Sequence, residues 1–122
     1  MKSPKARILC TEDDIDTRDL VRLILELEGF EVISADSAEE AINLARSEHF
    51  DLYLLDTWMP GLSGDNLCSK LREFDSTTPV LFYSGAAYES DKALALAAGA
   101  QGYVVKPAAD GELVSEIHDL IG

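Results

Sequence analysis

Residues 51–56 read DLYLLD. Four apolar residues stand between two acids. The run is too short for a buried helix, and it lacks the alternation of a strand that faces water on one side. It reads as a strand covered on both faces, which requires helices from the flanking sequence. The flanks supply them. Upstream, Ala38, Ala41, Ile42 and Ala45 share a small apolar helical face. Ser37-Ala-Glu-Glu40 before them has the form of a capping box. Downstream, Pro60-Gly61-Leu-Ser-Gly64 is a loop by its turn residues, and a helix runs on through Leu67, Leu71 and Phe74.

The same alternation extends to both ends. Residues 7–11 predict a first strand and 14–28 a helix. In that helix Leu20, Ile24 and Leu27 recur at helical spacing, with Val21 and Leu23 beside them, and Gly29 suits its stop. Residues 31–35 form the second strand and 51–55 the third. PVLFY at 79–83 forms the fourth and GYVV at 102–105 the fifth. An Ala-rich helix over 90–98 is closed by Gly99. Asp110 caps a last helix whose Leu113, Ile117 and Leu120 share a face. Five strands alternating with five helices imply an α/β fold: a doubly wound parallel sheet. Ligands of such sheets bind outside the carboxyl ends of the strands, where the strand order reverses.

The chain has 122 residues, 47% of them hydrophobic, which suits one packed domain over 1–122. No output domain is visible in it. Lys and Arg total 10 against 23 Asp and Glu, a net charge of −13. Such a surface repels nucleic acid and anionic membranes, and it attracts divalent cations and basic partner patches. Cys10 and Cys68 lie far apart in apolar segments, without metal or disulfide spacing, and read as free buried thiols. No signal peptide or membrane span follows the basic MKSPKAR start, so a cytoplasmic location is expected.

Four strand ends deliver chemistry to one rim: Glu12-Asp13 after the first, Asp56 after the third, Ser84 after the fourth and Lys106-Pro107 after the fifth. Each has an ordinary structural reading, since Asp and Ser commonly end strands and Lys is usually solvated. Together they have a chemical logic. Carboxylates within ~5 Å repel by roughly 3 kcal/mol per pair at an effective dielectric near 20. Mg²⁺ removes that penalty, being a hard cation that takes oxygen ligands and keeps several waters. Glu12, Asp13 and Asp56 are therefore the expected magnesium pocket, while Asp14 and Asp16 face solvent in the first helical turn. Asp56 gains a second role, because a carboxylate oxygen can attack phosphorus. Phosphoryl transfer needs positioning and charge neutralisation more than acid–base chemistry. Mg²⁺ and Lys106 would neutralise, and the Ser84 hydroxyl would donate to a phosphoryl oxygen. His49 and His118 lie away from this rim and read as surface residues.

ILCTEDD, LLDTWMPGLSG, PVLFYSGA and GAQGYVVKP, in this order and spacing, resemble the receiver domains of bacterial two-component response regulators over essentially the whole chain. The resemblance implies a flavodoxin-like strand order of 2-1-3-4-5 and Asp56 as the phosphoacceptor. It implies direct Mg²⁺ contacts from Asp13 and Asp56, a partly water-mediated one from Glu12, and a backbone carbonyl ligand from Trp58. Lys106 would pair with the phosphoryl group. Ser84 and Tyr103 would be the switch pair, although an aromatic in a strand also has a plain packing reading. Pro107 often follows a cis bond in this family. The phosphodonor would be a sensor histidine kinase or a histidine phosphotransfer protein, and the output an unknown downstream protein. The chain would assist its own phosphorylation without being a turnover enzyme.

The sequence departs from the family pattern at Trp58, Ala86 and Ala108. Trp58 is expected to shield the acyl phosphate from water, and Ala108 bears on the packing of the last loop. In the expected switch, Ser84 swings to the phosphoryl group and Tyr103 fills the space behind it. The helix over 90–98, the fifth strand and the last helix then form the readout face. A magnesium-dependent aspartyl phosphatase is the main competing reading, but Trp58 stands where such an enzyme keeps its general acid. A flavin module would need a phosphate-binding loop, and EDDIDTR is too acidic for one. A structural interaction domain would not need the set Glu12, Asp13, Asp56, Ser84 and Lys106.

Overall fold

The computed structural model describes residues 6–109 and 111–121. The cap expected at Asp110 lies outside them. Strands β1 (Arg7–Thr11), β2 (Glu31–Ala35), β3 (Leu52–Leu55), β4 (Val80–Ser84) and β5 (Gly102–Val105) alternate with helices α1 (Ile15–Leu27), α2 (Ala38–Ser47), α3 (Gly64–Arg72), α4 (Glu89–Ala97) and α5 (Glu112–Ile121). The sheet is parallel, in order β2-β1-β3-β4-β5. The order reverses at β1, so the carboxyl ends of β1 and β3 open onto a crevice.

The reading of DLYLLD holds in three dimensions: all four residues of β3 are buried. Tyr53 and Leu55 face a core built with Leu9, Phe82, and the buried sides of α2, α3 and α4. Leu52 and Leu54 face a second core built with Ile8, Cys10, Leu81, Val104, and the buried sides of α1 and α5. Burying a Leu or Phe side chain contributes roughly 1.5–3 kcal/mol, so the two apolar layers pin the register of every central strand.

Local signals place the helix ends. Asp14 caps α1, its carboxylate accepting from the Thr17 hydroxyl at 2.6 Å and from the Thr17 amide at 2.9 Å, and these bonds hold the Asp14 carboxyl below its usual range. Gly29 follows α1 with φ +94°, a left-handed conformation that favours glycine. Ser37 caps α2 by accepting from the Glu40 amide, but the Glu40 carboxylate accepts from the Asp36 amide rather than from Ser37. The expected box is thus displaced by one residue on its return side.

The helical spacing of Leu20, Ile24 and Leu27 marks a helix, as observed, but does not mark its buried side. Leu27 is 78% exposed and Leu20 and Leu23 are over half exposed, while Val21 and Leu25 enter the core. The helix carries apolar residues around more than half its circumference, so periodicity alone leaves two phases open. Among the described residues no helix is long and apolar enough to cross a membrane.

Candidate functional site

Register brings the first two acids together. Thr11 of β1 pairs with Leu55 of β3, so Glu12 and Asp56 leave adjacent strands side by side. The Asp56 amide donates to the Thr11 carbonyl and the Glu12 amide to the Ala35 carbonyl, which fixes both backbones. Glu12 and Asp56 are buried and Asp13 is exposed. One carboxylate oxygen from each of the three lies within 4.8 Å of the others. The expected acidic cluster therefore assembles.

Lys106 enters from the end of β5. Its amide donates to the Ser84 carbonyl at 2.8 Å, and the following bond to Pro107 is cis. Its ammonium Nζ donates to Glu12 Oε1 and lies 3.7 Å from Asp56 Oδ2. Burial pulls the Lys106 pKa down, but the bond to Glu12 and the charges of Asp56 and Glu12 outweigh it and leave the group above its ordinary value. Glu12 moves the other way from a normal carboxyl. Burial and the neighbouring Asp56 raise its pKa to about 7 against the lowering effect of Lys106. One ammonium does not balance three carboxylates in a partly desolvated site.

Ser84 is fully buried, and its hydroxyl oxygen accepts from the Ala86 amide at 3.1 Å. Tyr103 is half-buried and its ring stacks on Phe82, with centroids 5.6 Å apart. Its hydroxyl donates to the Ala86 carbonyl at 2.6 Å and lies 3.2 Å from the Thr57 hydroxyl. Ala86 thus ties both members of the expected switch pair, through its N–H and through its C=O. Tyr103 is already turned toward the loop after β4, rather than waiting outside it. Trp58 stands 66% exposed on the loop after β3. His49 and His118 are exposed, as expected. Cys10 and Cys68 are buried and free, and burial pushes the Cys10 thiol up to about 12.

Three residues escaped the sequence reading. Thr57 donates its amide to Asp56 Oδ1 at 2.8 Å and contacts Tyr103; no local pattern marks it. Gly64 reads as a turn residue, yet a Cβ there would lie 2.0 Å from the Asp56 carbonyl oxygen, so glycine is what lets α3 begin against the site. Tyr83 looks like one more apolar strand residue, but its ring lies beside the Lys106 ammonium.

A parallel sheet in this order, with an acidic cluster and a lysine at its carboxyl edge, defines the receiver class of α/β proteins. The chain matches the response regulator receiver domain family over residues 8–118 and belongs to it. Among curated relatives, it is 35% identical to the cell cycle transcriptional regulator CtrA of Caulobacter vibrioides, over 94% of this chain and 50% of that protein. It is 37% identical to the alkaline phosphatase synthesis transcriptional regulatory protein SphR of Synechococcus elongatus, over 98% of this chain and 50% of that one. The chain spans about half the length of these relatives. Among solved structures, a CheY-like receiver domain protein from Methanospirillum hungatei superimposes with a TM-score of 0.91 at 31% identity, covering 96% of this chain and 94% of that one. The response regulator TrrA from Thermotoga maritima, solved in complex with Mg²⁺–BeF, gives 0.85 at 32% identity, covering 94% and 98%.

Proposed function

We propose that this receiver domain accepts a phosphoryl group on Asp56 from the phosphohistidine of a sensor histidine kinase or histidine phosphotransfer protein, in a Mg²⁺-dependent reaction in the cytoplasm. The observation that carries this reading is the convergence of Glu12, Asp13 and Asp56 within 4.8 Å beside the Lys106 ammonium. The donor set fits magnesium: all hard oxygens, two of the carboxylates buried, with Glu12 raised to about 7 by burial and by the neighbouring Asp56 against the pull of Lys106. Glu12, Asp13, Asp56 and the Trp58 backbone carbonyl would hold the ion. When bound it supplies charge neutralisation at the phosphoryl oxygens.

The side chains do the rest. A carboxylate oxygen of Asp56 attacks phosphorus as the phosphorus–nitrogen bond to the donor imidazole breaks, and the imidazole keeps the electron pair. Lys106 turns from Glu12 toward the phosphoryl oxygens over a gap of a few ångströms. The Ser84 hydroxyl accepts from Ala86, which leaves its own hydrogen to donate. Because Ala86 also receives Tyr103, a pull on Ser84 is transmitted to β5 and α4 through that one residue. The exposed Trp58 ring stands at the same rim and slows attack by water on the acyl phosphate. The product stays on the chain's own carboxylate, so the reading is of a switch and not of a turnover enzyme.

Incubation with acetyl phosphate and Mg²⁺, followed by intact-mass measurement, tests the reading. One added phosphoryl group, absent in Asp56→Asn, is the expected result. A protein that never gains mass, or one that turns over many phosphate esters, would overturn it.

A further inference from the structure

Besides Glu12 and Asp56, the Lys106 ammonium has a third neighbour. The centroid of the Tyr83 ring lies 5.4 Å from Nζ, within the range at which an aromatic face attracts a cation. Tyr83 is the residue before Ser84 on β4, and it packs against the core that contains Cys10, Leu54 and Val104. With Cys10, Val21 and Leu54 it lines a cavity of about 10 Å³ beside Glu12 and Asp56. That is room for about one water molecule. Tyr83 and Lys106 are both half-buried and the Lys106 side chain is 20% exposed, so the contact is partly desolvated, where such an attraction is stronger than at an open surface. Packing alone would be served at this strand position by any large apolar side chain.

Lysine is a long, flexible stem carrying a point charge. Glu12 already holds this one, and only a shift toward Asp56 would bring it to a new phosphoryl group. We propose that Tyr83 is a positioning residue for phosphoryl transfer, its ring face holding the Lys106 ammonium at the edge of the acidic cluster within reach of both Glu12 and Asp56. The proposal rests on the phosphoacceptor reading and adds to it a residue that acts on the transfer through Lys106.

The test compares Tyr83→Phe, Tyr83→Leu and a ring-fluorinated phenylalanine at position 83, which keeps the shape of Phe but cancels the negative ring face. Two readouts are taken: the initial rate of phosphorylation by acetyl phosphate with Mg²⁺, and the ¹⁵N resonance of the Lys106 ammonium in metal-free protein. Tyr83→Phe should keep the rate within about twofold, while the Leu and fluorinated variants should lose about three- to tenfold and shift or broaden the ammonium signal. A fluorinated variant that matches Tyr83→Phe in both readouts overturns the proposal, and it does so even if the Leu variant fails to fold. A wild-type protein that takes up no phosphoryl group sinks the phosphoacceptor reading. In that case the ammonium signal still upholds or overturns the contact between ring and cation.

Discussion

Glu12 is a carboxyl that the fold buries and that cation binding needs charged. Its pKa of about 7 stands above that of an ordinary glutamate near 4.5. The metal-free folded protein therefore keeps a proton that the unfolded chain has already lost. Stability of the metal-free form should fall as pH rises from about 4.5 to 7, and then level off. Magnesium binding should show the complementary trend. Below pH 7 it must displace that proton, so affinity should weaken by up to about tenfold per pH unit and plateau above 7. Titrations with Mg²⁺ between pH 5.5 and about 8.5 check this, and a flat profile in wild type would refute it; Glu12→Gln should remove the step. Gly64 makes a second argument at this scale. A Cβ there meets the Asp56 carbonyl oxygen at 2.0 Å and the Phe82 ring at 2.8 Å. Neither backbone nor packed ring yields cheaply, so Gly64→Ala should cost about 1–3 kcal/mol and displace Asp56. The thermal unfolding temperature and acetyl phosphate uptake should both fall.

At the scale of the element, α1 shows what pattern reading can and cannot supply. Asp14, read as a first-turn residue, is its cap, whereas its stop at Gly29 was legible from residue type, because a helix stop is local chemistry. Its rotation about its own axis was not, because Leu20, Ile24 and Leu27 form as good a stripe as Val21 and Leu25 until a sheet is laid against one of them. Leu25→Ala should cost about 2–5 kcal/mol, whereas Leu27→Ala should stay within about 0.5 kcal/mol. Urea unfolding of the two variants measures the difference, and equal losses would contradict the burial of Leu25 against an exposed Leu27. In contrast, α4 buries only Ala95 deeply and exposes Leu94 and Leu96. On the proposed reading, a helix so lightly held is one that a local event at Ser84 would move.

At the scale of the whole molecule, function depends on contacts between residues that are remote in sequence. Lys106 and Glu12 meet across 94 positions, and Tyr103 reaches Thr57 across 46. Phosphorylation would act on this assembly through Ala86, which Ser84 and Tyr103 hold from either side. Ser84→Ala should therefore leave Asp56 able to take up phosphoryl groups while weakening the response of β5 and α4. Amide exchange with and without a beryllofluoride mimic reads this, and equal changes in α4 for both proteins would contradict it. The sequence by itself determined the alternation of elements, the all-apolar central strands and the acids, hydroxyl and lysine at their ends, because these follow from local hydropathy and from strand polarity. Only the tertiary structure decided which face of α1 is buried, that Gly64 must lack a side chain, that Tyr83 flanks the lysine, and that Ala86 joins Ser84 to Tyr103. Those outcomes turn on distances of a few ångströms between separate segments, and no local pattern encodes such a distance.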